Sequence, residues 1–492
     1  MRAGVLLAAS LLLSAGCMVG PRYKRPSASA PPAYKEQPPP EFKEWMKQAT
    51  PMEGVIRGRW WEIYGDPALN ALEERVALSN QNVLAAEAQY REAAAAIKVA
   101  HAALFPTIVA SPSANFSHPS SSLGAGQVGT SGTFAGGGGG GGSSGVFQTY
   151  NLPASFSWEL DLWGAIRRSV AAATDTAQAS AADLANARLS YQAVLAQDYF
   201  SLHGLDARKK LLQDTVELYR SYLELTQSRF RAGVASDADI ALAETQLDTA
   251  RAQLIDVGVL RTAYEHAIAV LTGRPPAELT IPEVPLNALP PPVPVGVPSA
   301  LLQRRPDIAA AERNVAAANQ QIGIAKAAYY PTLTLTGVAG LESSAIQKLI
   351  SWPAHFWSAG PGVAETIFDF GRRRGTLLET RAAYDFQAAT YRQTVLTAFQ
   401  QVEDNLSALR ILEQEAAADD QAVKASQLAL DVVTAQYRSG TADYLQVITA
   451  QTALFNNRIS SVAVQTSRMV SSVLLVQALG GGWDVSQLPQ HP

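Results

Sequence analysis

Cysteine is almost absent: Cys17 is the only one in 492 residues. No disulfide can form within one molecule, so packing must hold the fold. Charge is sparse at 17% Asp, Glu, Lys and Arg, and the net value is −4. That balance argues against a nucleic-acid partner. The histidines, His101, His118, His203, His266, His355 and His491, are scattered without metal-ligand spacing. The glycine run Gly136 to Gly142 lacks a following Gly-Lys-Ser/Thr, so it is not a phosphate loop and reads as a flexible surface loop. No nucleophile–base arrangement emerges. The chain reads as a non-enzyme with no cofactor and no metal. Past the N-terminus no continuous apolar run reaches about 18 residues, so no transmembrane helix is expected.

What is present begins with an export signal. Met1-Arg2 is followed by an apolar run from Val5 to Leu13 and then by Ser14-Ala15-Gly16-Cys17. A basic start, a short hydrophobic stretch and small residues are the marks of a secretory signal. The lone cysteine after the small residues makes it similar to a bacterial lipoprotein signal over 1–16, with lipid attached to Cys17. Ser14 stands where such signals usually carry Leu. Met18 follows the cysteine, so no inner-membrane retention signal is read. The alternative is an ordinary secretory signal.

The dominant feature is a duplication. Gly164 and Gly371, Gly233 and Gly440, and Gly273 and Gly480 are each 207 residues apart. Arg229-Phe230-Arg231-Ala232-Gly233 matches Gln436-Tyr437-Arg438-Ser439-Gly440, and Leu104-Phe105-Pro106-Thr107 matches Tyr329-Tyr330-Pro331-Thr332 at an offset of 225. The fall from 225 to 207 places 18 extra residues in the first copy's glycine-rich loop. A unit this long is not a solenoid repeat of about 20–50 residues. The resulting divisions are 17–66 (tether and equatorial segment), 67–273 (first repeat), 274–300 (proline-rich bridge), 301–480 (second repeat) and 481–492 (tail).

Within each repeat the periodicity changes. Asp66-Pro67 starts a helix expected to run to about Leu104. Strict alternation in Thr332-Leu333-Thr334-Leu335-Thr336 and in Phe156 to Leu162 predicts strands with one wet and one dry face. The expected strands lie near 107–116, 150–162, 332–340 and 361–370. Aromatic residues at their ends (Trp158, Trp163, Tyr329, Tyr330, Trp352, Trp357, Phe368 and Phe370) suit a membrane-interface girdle. A half-buried sheet in a soluble domain would have the same composition. Each repeat then has 69 proline-free residues, from Gly164 to Gly233 and from Gly371 to Gly440. As single helices they would be roughly 100 Å long. Heptads mark the return helices: Ala243, Ala250, Val257, Tyr264 and Leu271; Ile240, Leu247, Leu254 and Ile268, interrupted by Arg261; and Ile448, Phe455, Val462, Met469 and Val476. Such spacing predicts coiled-coil packing.

Four amphipathic strands cannot close a barrel, and open edges do not survive in lipid. Other copies must complete the sheet, and two, three or four would all give even totals. The fold class is therefore mainly α with a small β part: a coiled-coil helical barrel joined to a shared transmembrane β-barrel.

Specific text now points to a family. Val297-Pro298-Ser299, Leu302-Gln303-Arg304-Arg305-Pro306-Asp307-Ile308, Glu312, and Gln321-Ile322-Gly323 before Tyr330-Pro331 resemble the outer-membrane efflux proteins, the TolC-type channels, and among them the lipoprotein NodT-like subgroup. The likeness covers nearly the whole mature chain. It implies a homotrimer with a twelve-stranded barrel in outer-membrane lipid and a helical tunnel through the periplasm. Such a channel is the exit duct of a tripartite pump for small molecules such as drugs. It docks a periplasmic adaptor and an inner-membrane pump, here expected to be of the resistance-nodulation-division type. A type I protein-secretion exit channel is the alternative. A lipid-anchored adaptor would need a lipoyl-like β domain, which the sequence does not show, and a structural coiled-coil lipoprotein would not need aromatic-edged strands.

The resemblance also assigns sites. Arg231, Gly233, Arg438 and Gly440 sit at the helix tips, where the family meets its adaptor. Counting from the glycines, Asp239 and Tyr437 match positions that link helices to hold the periplasmic gate shut, while Ala442 stands where a basic partner occurs. Gln446 and Thr449 occupy the positions of acidic rings in some members. The expectation is a gate held by hydrogen bonds from Asp239 and Tyr437 together with heptad packing. Glu159, Asp161, Glu365 and Asp369 are expected on the wet face of the strands or at the barrel exit.

Overall fold

A computed structural model describes residues 18–36, 58–118, 146–293 and 298–490. Cys17, the run Gly136 to Gly142, Pro38-Pro39-Pro40 and Val297 lie outside the described residues. In chain order the elements are α1 (Pro67–Ser79), α2 (Gln81–Ala102), β1 (Thr107–Ala110), β2 (Ser113–Ser117), β3 (Phe147–Leu160), α3 (Ala165–Arg231) and α4 (Asp237–Leu271). The second copy gives α5 (Pro298–Arg304), α6 (Pro306–Ala327), β4 (Thr332–Ser343), β5 (His355–Ala364), α7 (Arg372–Ser439) and α8 (Tyr444–Ala478).

Two expectations need correction. The first helix does not run unbroken from 67 to 104: Asn80 interrupts it, and its side chain caps α2 by accepting from Asn82 N at 2.9 Å and Val83 N at 3.2 Å. The fourth strand is not 361–370 but His355–Ala364, because Asp369 is drawn into the start of α7. The chain forms two compact units, and each draws on both repeats. Of the described residues, one comprises 18–23, 95–118, 146–173 and 317–384, and the other 24–36, 58–94, 174–293, 298–316 and 385–490.

The first unit holds the sheet. It is antiparallel, with β3 central to the first copy and β4 bridging to β5. β1 and β2 pair in series along β3 and occupy one strand position, interrupted at Ser111-Pro112. Register decides the chemistry of the two faces. Ile108, Phe156, Gly337 and Ala359 stand side by side, as do Trp158, Leu335 and Pro361, and Leu160, Leu333 and Val363. On the other face Thr107, Ser157, Thr336 and Gly360 share a row, and Glu159, Thr334 and Gly362 another. One face is therefore mainly apolar, while the other carries the Thr, Ser and Glu rows together with Val109, Val338 and Phe356. At 14, 12 and 10 residues, β3, β4 and β5 meet the about 9–11 residues that a tilted strand needs to cross a bilayer.

The second unit is helical, and its core follows the heptads. Ala243, Leu247, Ala250, Val257 and Ile268 of α4 are buried, as are Ile448, Met469 and Val476 of α8. Arg261, which breaks one heptad row, is buried too and held by a network. Its Nε donates to Asp206 at 2.8 Å, its Nη1 to Glu265 at 3.0 Å and its Nη2 to Ile281 O at 2.7 Å. Asp206 and Glu265 accept in turn from Val284 N and Ile281 N. His203 Nδ1 lies 2.7 Å from Val284 O and must carry the proton, since a carbonyl only accepts. The network thus fastens the proline-rich bridge to α3 and α4. The α8 helix is long and apolar enough to cross a membrane by length and composition alone. Its Tyr444, Val447, Ile448 and Leu454 instead pack into a helical cluster with Tyr222, Ala243, Leu430 and Tyr437.

Candidate functional site

The functional geometry is built at two places, the sheet with its exits and the helix tips. At the exits, aspartates start the long helices. Asp161 accepts from Ile166 N, Arg167 N and Arg167 Nε at 3.1, 2.9 and 3.0 Å. Asp369 accepts from Gly371 N, Arg373 N and Arg373 Nε at 3.1, 3.2 and 2.7 Å. Desolvation alone would raise the Asp369 carboxyl, but the Arg373 and backbone hydrogen bonds outweigh it and hold the group below the usual carboxylate range. Both aspartates are therefore helix caps paired with arginine rather than lone lumen charges. Glu159 does lie on the polar face, beside Thr334. Glu365 is exposed one residue past the end of β5.

At the tips, the same C-terminal motif closes both long helices. Gly233 at φ 73° donates to Phe230 O and Val234 N to Arg229 O; Gly440 at φ 82° donates to Tyr437 O and Thr441 N to Gln436 O. Positive φ with this pair of bonds is the usual glycine helix stop. Arg231 and Arg438 are exposed there. The return helices start differently. Ser236 and Asp239 form a reciprocal capping box, whereas Asp443 makes no side-chain cap.

Of the two expected gate residues, Tyr437 links helices within the chain, whereas Asp239 bonds within its own turn. The Asp239 carboxylate is taken up by Ser236, through its N at 2.9 Å and Oγ at 3.0 Å. Tyr437 is buried and meets α3: its hydroxyl lies 3.4 Å from Thr226 Oγ1, and its carbonyl accepts from Arg229 Nη1 at 2.8 Å. The Arg229 guanidinium also lies over the Tyr437 ring at 4.4 Å, and Tyr444 packs 5.5 Å away. A second link joins Tyr222 Oη to Thr434 Oγ1 at 2.6 Å. Burial pushes the Tyr444 hydroxyl well above its usual range. The two hairpins of one chain are thus tied through Arg229, Thr226, Tyr222 and Tyr444, which the sequence reading missed. The available signal was the mismatch of the copies, Arg229 in one and Gln436 in the other. Gln446 and Thr449 are exposed on α8, with Thr449 Oγ1 bonded to Leu445 O.

A sheet with a mainly apolar and a more polar face and two long helical hairpins are the parts of a channel. The sequence profile of the outer membrane efflux proteins matches residues 72–274 and 297–481. The chain belongs to the outer membrane efflux protein family. Similar relatives include the toluene efflux pump outer membrane protein TtgF of Pseudomonas putida, 30% identical over 97% of this chain and 96% of that one. The pyoverdine export outer membrane protein OpmQ of Pseudomonas aeruginosa is 30% identical over 86% and 87%. Among solved structures, the open state of the Neisseria gonorrhoeae outer-membrane channel MtrE superposes with a TM-score of 0.79 at 26% identity, covering 95% of this chain and 99% of that one. This efflux protein is accordingly an outer-membrane channel that extends into the periplasm and serves as the exit duct of an efflux pump. Its family consists of channels, not enzymes.

Proposed function

We propose that three copies of this efflux protein close their sheets into one barrel and pass small, toxic, membrane-active molecules outward. One observation carries the reading. The sheet is mainly apolar on one face and richer in hydroxyl and carboxylate side chains on the other, yet β1/β2 and β5 each pair on one side only among the described residues. In lipid such edges must be paired. Copies of the same chain supply matching edges with the correct faces.

The helix tips with Arg231, Gly233, Arg438 and Gly440 then dock a periplasmic adaptor, which couples the channel to an inner-membrane pump of the resistance-nodulation-division type. Solvent-type substrates fit the toluene efflux assigned to TtgF. Cys17 carries lipid and adds an anchor in the outer membrane. The periplasmic gate is set by Tyr437, held through Arg229 and Thr226, with Asp239 stiffening the turn and Gln446 and Thr449 exposed on the return helix. Glu159 and Glu365 give the barrel its negative charge.

Conductance of the purified protein in planar lipid bilayers tests this reading. The expected result is discrete current steps that are small in the unaltered protein and several-fold larger in Arg229→Ala/Tyr437→Phe. Absence of steps contradicts the channel, and unchanged steps in the double variant contradict the gate.

A further inference from the structure

The duplication gives the sheet two strand-to-helix exits, and they are not equally covered. The first lies under the chain's own N-terminal segment. Val19 N donates to Trp163 O at 3.0 Å, and a Cβ on Gly164 would strike Met18. Trp163 stacks on Tyr330 at 4.7 Å, and its indole N–H donates to Pro331 O at 2.7 Å. The second exit has no comparable cover among the described residues. Ile367 and Phe370 are each 92% exposed and Phe368 is 73% exposed. The rings of Phe368 and Phe370 pack on each other, with centroids 4.5 Å apart.

The bare exit is also built, not slack. Phe370 has φ 52°, the single positive φ outside glycine among the described residues. L side chains disfavour that conformation, and it persists only where the surroundings enforce it. Here Asp369 grips Gly371 N, Arg373 N and the Arg373 guanidinium. Arg373 also lies over the Tyr329 ring at 5.3 Å. Its two neighbours, Arg372 and Arg374, are exposed. The exit therefore presents two bare aromatic rings beside two exposed guanidinium groups.

Register fixes its level. Leu160 stands opposite Leu333 and Leu333 opposite Val363, so both exits leave the apolar face at the same row. Met18, packed on the first exit, directly follows the cysteine that would carry lipid. The row is thus the edge of the hydrocarbon, where aromatic rings settle and arginine meets phosphate.

We propose that residues 365–374 form a docking site for a phospholipid of the periplasm-facing leaflet. Phe368 and Phe370 lie among the acyl chains, and Arg372 and Arg374 bind the phosphate, preferring an anionic headgroup. Glu365, the exposed carboxylate of the segment, lies at its strand end, away from the arginines in sequence. The site rests on the reading of the sheet as membrane-spanning.

The test uses the full-length protein in vesicles of phosphatidylethanolamine and phosphatidylglycerol, with a nitroxide on Phe370→Cys. The unsubstituted chain, put through the same labelling, supplies any signal from Cys17 for subtraction. The expected result is collision with oxygen several-fold more frequent than with a water-soluble nickel chelate. Low collision with both means that a neighbouring copy covers the exit, and nickel in excess means that it faces water; either overturns the proposal. Charge reversal in R372E and R374E should weaken phosphatidylglycerol retention in native mass spectra by roughly fivefold per arginine. Unchanged retention overturns the headgroup contact. Bilayer conductance of the same preparation reports separately on the channel, so its loss is distinguishable from failure of the lipid site.

Discussion

The backbone of Gly480 passes so close to the carbonyl of Arg304 that a Cβ there would overlap it, and Gly273 meets Ser79 in the same way. Both glycines also have positive φ, 93° and 71°. Gly480→Ala should therefore destabilise the protein by about 2–5 kcal/mol, the sum of backbone strain and overpacking. At Gly233 a Cβ would meet open space, so Gly233→Ala should cost only about 1–2 kcal/mol. Thermal unfolding midpoints of the two variants check the difference. These glycines were legible because the duplication repeats them. Glu73 was not, since nothing beside it in sequence shows that α1 buries it. Both its carboxylate oxygens are buried without a hydrogen-bond partner among the described residues, and burial pushes its pKa well above 4.5. Above pH 4.5 the unfolded chain releases this proton while the folded chain keeps it. Stability is therefore lost as pH rises from there toward the folded pKa. Glu73→Gln should raise the melting temperature over the unaltered protein by a margin that widens from pH 5 to pH 8. A margin independent of pH contradicts the assignment.

Among the elements, the strands and long helices were legible because their periods differ, and the glycine stops delimit the helices. What escaped were breaks set by distant partners. Asn80 and Arg305 interrupt the short helices at positions 225 residues apart. Asn80 Nδ2 donates to Leu271 O and Arg305 Nη1 to Ala478 O, each at 2.9 Å, at the ends of the two return helices. The fourth strand ends earlier than expected because Asp369 is bonded into the start of α7. Arg261 looked like a flaw in a heptad, yet it anchors the bridge. Burial would raise the Asp206 carboxyl, but bonds from His203, Arg261 and Val284 prevail and hold it below the usual range. Arg261→Ala leaves that carboxylate buried without its cation and should cost about 3–5 kcal/mol. Asp206→Asn/Arg261→Met should recover part of the loss. Urea unfolding of the three proteins measures it, and a loss equal in the single and double variants contradicts the pairing.

For the molecule as a whole, duplication and closure are one argument. Each repeat supplies two strand positions and one long hairpin, with the register of the repeats kept in the helices. The copies differ just past the turn glycines, where Ser236 caps α4 through Asp239 and Asp443 leaves α8 without a side-chain cap. The second hairpin is tied at its turn through Ser439 and Thr441 instead, whose hydroxyls donate to Gln436 O at 2.9 and 3.2 Å. Its buried tie to the first, through Arg229 and Tyr437, joins residues 208 apart and could not be read from local sequence. The central claim is that three chains close one sheet. Ile108 and Ala359 lie at one level on the outermost strand positions, β1 and β5. Cross-linking Ile108→Cys/Ala359→Cys in membranes with a flexible bis-maleimide measures closure directly. The account predicts a ladder of monomer, dimer and trimer that stops at three. A protein that stays monomeric, or a ladder that runs past three, contradicts it.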